Sequence, residues 1–91
     1  MASKKYSFLY TKQAAQDFDS LPKVIQKQIS QKLLFLQDNE VVFEHSLKLT
    51  GAEDKYRIRS GDYRIIFKPD KDGVLVILLI LRIAHRKDVY R

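Results

Sequence analysis

The chain has 91 residues, a net charge of +6 and 45% hydrophobic residues, including five Phe and five Tyr. That is enough for one packed core over residues 1–91 and too little for two, which excludes multi-domain readings and argues against disorder for such a composition. Without Cys there is no disulfide scaffold, thiolate metal site or cysteine nucleophile, and the longest apolar run, Val74 to Leu81, is far below the roughly 20 residues of a membrane helix; a soluble cytoplasmic protein with no membrane partner is expected.

In chain order, Met1 to Lys5 is a short basic start. Tyr6, Phe8 and Tyr10 alternate with Ser7 and Leu9, a strand pattern, after which Thr11 can cap a short helix holding Ala14, Ala15 and Phe18. Ser20-Leu21-Pro22 stops that helix, and Pro22 suits the first turn of a second one. Its apolar residues Ile25, Ile29, Leu33 and Leu36 trace a single stripe down to Asp38-Asn39. From Glu40 to Asp54 the pattern is poor and reads as loop, with a turn at Gly51. Lys55 to Arg59, Asp62 to Lys68 and Val74 to Ile83 then read as three strands, parted by Ser60-Gly61 and by Pro69-Asp70-Lys71-Asp72-Gly73, both turn signals. The last strand is apolar without alternation, which predicts burial on both faces at the centre of the sheet. The order β-α-α-β-β-β predicts a small α+β domain, a mainly antiparallel sheet with both helices on one face.

Charge placement says more than total charge. All six arginines lie in the second half, and from Ser46 onward eleven basic residues face six acids, an asymmetry suited to a polyanion as well as to a merely solvated surface. If Ser60-Gly61 is a two-residue hairpin loop, Arg59 pairs with Asp62, Ile58 with Tyr63 and Arg57 with Arg64. Arg57, Arg59, Arg64 and Asp62 then share one face, and Tyr56, Ile58, Tyr63 and Ile65 the face under the helices. A directly opposed arginine pair is destabilising unless screened by water or met by an anion.

The tail adds His85, able to carry a proton near neutral pH or to serve as a surface or helix-capping residue. Tyr90 can stack on a nucleobase or anchor into the core. His45 sits in the loop with no identifiable partner. Neither His has a second ligand at a metal-site spacing, so no metal or cofactor is expected.

Leu21-Pro22-Lys23, Leu49-Thr50-Gly51, the run Tyr56-Arg57-Ile58-Arg59-Ser60-Gly61-Asp62-Tyr63-Arg64-Ile65-Ile66-Phe67 and the ending His85-Arg86-Lys87-Asp88-Val89-Tyr90-Arg91 together resemble the RelE/ParE toxin superfamily, in its RelE branch. The resemblance implies a microbial RNase-like fold and, for RelE-type members, metal-independent endonucleolytic cleavage of mRNA in the A site of the 70S ribosome. A cognate RelB-like antitoxin holds such toxins in check within a hetero-oligomer. By position, Arg64 is implied in transition-state phosphate stabilisation, Arg86 in leaving-group protonation or phosphate contact, and Tyr90 in orienting or stacking on the substrate. Arg57 and Arg59 stand where well-known RelE-type members carry lysines. Arginine cannot be tuned toward general-base work, so with Lys55 they are expected to bind RNA phosphates, leaving His85 as the proton carrier by default. The ending beyond Tyr90 leaves no room for a further C-terminal helix. Two alternatives share this fold: a ParE-like poison of DNA gyrase acting by protein contact, and a decayed toxin that binds RNA or antitoxin without cleaving.

Overall fold

A computed structural model describes residues 6–51, 54–72 and 75–89. Strand β1 (Tyr6–Tyr10) leads into helices α1 (Lys12–Asp19) and α2 (Lys23–Asp38), followed by a single 3-10 turn (Phe43–His45) and strand β2 (Ser46–Lys48). Strands β3 (Tyr56–Ser60), β4 (Tyr63–Asp72) and β5 (Leu75–His85) and a one-turn helix α3 (Arg86–Val89) complete the described chain. The five strands form one sheet in the order β1-β5-β4-β3-β2, antiparallel except for β1 beside β5. This is the expected α+β architecture, with two additions: β2 in the predicted loop and α3 at the end.

Thr11 starts α1 as predicted. Its hydroxyl oxygen accepts the Ala14 N–H at 3.2 Å while its own O–H donates to the Ile80 carbonyl at 2.9 Å, tying the helix start to β5. Pro22 precedes α2 without a side-chain cap. The α2 stripe buries Ile29, Leu33 and Leu36, which meet Ile58, Ile65, Phe67, Leu78, Ile80 and Ile83 of the sheet in one core. Complete burial of each such side chain is worth about 1.5–3 kcal/mol. Phe43 of the 3-10 turn sits edge-on to Tyr6 and Tyr56, with ring centroids 5.7 and 5.1 Å away, which holds the segment entering β2 against the sheet.

Three local expectations are corrected. The β3–β4 hairpin closes at Gly61-Asp62, one residue later than predicted, so Arg59 lies opposite Arg64, Ser60 opposite Tyr63 and Arg57 opposite Ile66. Gly61 has φ +58°, the left-handed value that a type II′ turn requires at its first loop position. The offset is even, so Arg57, Arg59 and Arg64 remain on one face, but Asp62 leaves it for the turn. Next, β4 runs through Pro69 to Asp72, which the sequence reads as turn. Beyond Phe67 it has no β3 partner, and an edge is where a strand tolerates Pro. Finally, β5 is not buried on both faces. Leu78 and Ile80 are fully buried, whereas Ile77 and Leu79 are only half-buried on the face away from the helices.

Past Ile80, β1 no longer covers β5, and α1 takes over that edge. Asp17 accepts the Ile83 N–H at 3.0 Å and the Arg82 Nε at 2.8 Å, replacing a missing ladder partner. Burial of the Asp17 carboxyl acts to raise its pKa, but the Arg82 bond, the Ile83 and Gln13 bonds and the Arg82 charge outweigh it, so the net shift is downward. A lowered carboxylate pKa stabilises the fold above the unfolded value of about 3.9 and loses that contribution as pH falls through the folded value. Asp17→Ala should therefore destabilise by on the order of 1–2 kcal/mol at pH 7, with the gap to the parent protein narrowing below about pH 4; urea denaturation at pH 7, 5 and 3 measures this, and a gap independent of pH would contradict it.

Candidate RNA-binding cavity

On the face of the sheet away from the helices, His45, Leu47, Arg57, Arg59 and Arg64 line a cavity of about 150 Å³. The register explains the convergence. Leu47 lies opposite Arg57, and Arg59 opposite Arg64; directly opposed residues of an antiparallel ladder point to the same face. His45 ends the 3-10 turn immediately before β2, whose first residue Ser46 pairs with Ile58, the neighbour of Arg59; this brings His45 to the cavity beside the Arg59–Arg64 pair.

Arg64 differs from its neighbours in burial. It is 3% exposed, the one charged residue in the core of the described chain, and its Nε and Nη1 have no hydrogen-bond partner among the described residues. Leaving buried donors unpaired costs about 1–3 kcal/mol, more for a charged group, so this side chain works against stability. Arg64 is one of the residues that line an arginine-rich cavity without a carboxylate among its described lining residues. What this can do chemically is attract a compact anion: three guanidinium groups, that of Arg64 buried, line one cavity, with Leu47, 60% exposed, as an apolar rim.

The other expected site residues are distributed as follows. Lys55 precedes β3, exposed, its carbonyl accepting the Leu49 N–H at 2.9 Å; it does not line the cavity. Arg86 opens α3 beside the β3–β4 turn, its N–H donating to the Asp62 carbonyl at 2.7 Å and its Nε 3.9 Å from the Asp62 carboxylate. Both side chains of that ion pair are exposed, at 54% and 67%, so it contributes little to stability. Tyr90 lies outside the described residues.

His85 lies on the other side of the sheet. It is opposite Tyr63, with ring centroids 5.3 Å apart and edge-on, and it borders a groove shared with Asp17, Ser20 and Leu21 below α1. Its Nδ1 accepts the Lys87 N–H at 3.3 Å, which is the helix-capping alternative open to a histidine at that point in the sequence. The side change has one cause. Ile66 pairs with Arg82 and Phe67 with Ile80, so Leu81 is an extra residue in β5, and a bulge reverses the alternation beyond it. Arg86–Val89 form one helical turn, begun by this His85 cap and the Arg86–Asp62 backbone bond; the expectation of no further helix beyond Tyr90 falls outside the described residues.

Sequence reasoning assigned nothing to His45, because its neighbours appear only once β2 is known to pair with β3. The one available signal was a short polar segment, Ser46-Leu47-Lys48, with a lone apolar residue at its centre.

Residues 8–90 match the family described as the ParE toxin of type II toxin-antitoxin system, parDE. A protein of Escherichia coli named as a RelE-like toxin is 27% identical over 88 residues, spanning 94% of this chain and 90% of the relative. Among solved structures, the RelB-RelE antitoxin-toxin complex of Methanococcus jannaschii includes a chain 28% identical with a TM-score of 0.66, covering 90% of this chain and 94% of that one. The RelBE2 toxin-antitoxin complex of Mycobacterium tuberculosis superposes with a TM-score of 0.74 at 23% identity, covering 90% and 99%, a likeness of fold. Since the family match runs through both helices, all five strands and the arginine cavity they carry, the chain belongs to the ParE toxin family and is a toxin of the RelE/ParE type from a type II toxin-antitoxin system.

Proposed function

We propose that this toxin is a ribosome-dependent mRNA endonuclease that cleaves in the A site by attack of a ribose 2′-hydroxyl on the adjacent phosphate, and so inhibits translation. The observation that carries the reading is Arg64, a buried guanidinium with unpaired Nε and Nη1 in the wall of a cavity shared with Arg57 and Arg59. Attack by the 2′-oxygen builds negative charge on the phosphate oxygens, and preorganised donors in a water-poor site stabilise such charge without reorganising. Arg64 supplies those donors, and Arg57 and Arg59 supply field and phosphate contact. Lys55 and Arg86, outside the cavity, follow the RNA backbone on either side, and Tyr90 stacks on a base. His85, across the sheet, has no place in this reaction beyond starting α3.

The partner in the resting state is a cognate RelB-like antitoxin, as RelE chains are seen with RelB in the matched structures. Acidic residues of such a partner would meet the arginines, and its apolar ones Leu47 at the rim or Leu34 and Phe35, both exposed on α2.

A second reading is favoured by the ParE name of the matched family: a gyrase poison acting by protein contact. Inducible expression separates the two. New mRNA 5′ ends at codon-spaced positions in translated messages, mapped by primer extension, support the nuclease, and growth arrest with intact messages and induced DNA damage supports the poison.

Arg64→Met keeps the aliphatic stem and removes the donors. It should lower cleavage by about 10²–10³-fold and raise unfolding free energy by on the order of 1–2 kcal/mol. Single-turnover cleavage on programmed ribosomes and urea denaturation measure the two effects; full activity in this variant would exclude Arg64 from the reaction, and lower stability would mean that its donors are satisfied in the folded chain.

A further inference from the structure

We propose that His45, and not His85, is the proton acceptor of the cleavage step, an inference that rests on the nuclease reading of the same cavity. His45 lines the cavity with Arg57, Arg59 and Arg64, at the end of the 3-10 turn that leads into β2, whose first residue Ser46 pairs with Ile58 next to Arg59. Of the lining side chains, only an imidazole passes between a neutral acceptor and a cation near neutral pH; guanidinium groups stay charged and Leu47 has no proton to move. The position is held from behind. The His45 N–H donates to the carbonyl of Val42, which is fully buried, and Phe43 is packed among Tyr6, Tyr56 and Phe67, so the backbone is anchored while the side chain is exposed to a substrate. The charged groups facing it across the cavity are Arg57 and Arg59 from β3 and Arg64 from β4, and Glu44 precedes it in its own segment.

In the step proposed, an imidazole nitrogen of His45 takes the proton of the 2′-hydroxyl as the O2′–P bond forms. The P–O5′ bond breaks, the departing O5′ takes a proton from a solvent water, and the imidazolium returns its proton to the hydroxide so produced. The products are a 2′,3′-cyclic phosphate and a 5′-hydroxyl end, with no net proton consumed.

The test is single-turnover cleavage of a defined mRNA on programmed 70S ribosomes by the full chain, followed between pH 6 and 8.5, for the parent protein, His45→Gln, His45→Ala and His85→Gln. The parent rate should rise with pH and level off; His45→Gln should cleave about 10²–10⁴-fold more slowly and lose that break, and added imidazole should partly restore His45→Ala. Thermal melts check that the His45 variants are folded, and a melt below the parent's is met by imidazole rescue, which a merely unfolded protein would not show. His45→Gln cleaving within threefold of the parent with the break intact, or the loss and the altered pH profile following His85→Gln instead, would overturn the assignment while the nuclease reading stood. A parent protein that arrests growth yet cleaves no message would overturn the nuclease reading itself, and this inference with it.

Discussion

The ladder between β4 and β5 runs through ten paired positions and holds one extra residue, Leu81, and that insertion decides which side of the sheet the end of β5, His85 included, faces. Before it, Leu78 and Ile80 point to the helices; after it, Ile83 does. Residues three apart on a regular strand would face opposite ways, so the bulge alone lets both isoleucines enter the core. The same phase change carries His85 to the helix side with Tyr63 and leaves Ala84 opposite Arg64. It also coincides with the end of β1, where α1 supplies Asp17 to the exposed edge of β5. A strand that loses its neighbour and changes phase within a few residues needs such a substitute, because an open ladder N–H beside the core is costly.

What could be read from the sequence follows this division. The α1 cap at Thr11, the α2 stripe and the shared face of Arg57, Arg59 and Arg64 were legible, since each rests on local chemistry or on parity, and parity survives an even slip of the hairpin. The partner of Arg64 was not, because Ser60-Gly61 and Gly61-Asp62 are equally acceptable two-residue turns by composition and differ in which position takes the positive φ. Strand β2 was invisible: three residues with one apolar side chain carry no periodicity. With β2 went His45, which the 3-10 turn before that strand brings to the cavity of Arg59 and Arg64. The bulge left no mark either, since Val74 to Leu81 is apolar throughout and shows no break in alternation where the phase changes. Burial of Arg64 lay furthest from view, because an arginine on a strand next to a turn reads as exposed.

That burial is the feature hardest to explain by folding alone. Arg64 lies opposite another arginine and keeps Nε and Nη1 out of water without partners, so both its charge and its donors oppose stability. An apolar residue of similar length would fill the same space at lower cost. The core around it is otherwise consistent at every level, from the α2 stripe to the aromatic contacts of Phe43 and Phe67. A single costly exception inside a consistent fold is the pattern expected of a site shaped by its ligand.

Under the proposed function the same donors have two claimants, the phosphate of an mRNA and the carboxylates of an antitoxin. Neither needs the sheet to move in order to exclude the other. Arg57, Arg59 and Arg64 are set by strand register, and Arg64 is fixed further by burial, so a segment that neutralises them removes the cavity from RNA by occupancy alone. The two claims differ in reach. A compact phosphate is served by the donors of one buried guanidinium, whereas a folded or extended acidic segment must also cover apolar surface, and this chain exposes that surface at Leu47 on the rim of the cavity. On that reading rim and floor answer to different ligands: the buried guanidinium to charge that develops in the proposed reaction, and the exposed leucine beside it to the apolar contact from which a protein partner, but not a phosphate, gains affinity.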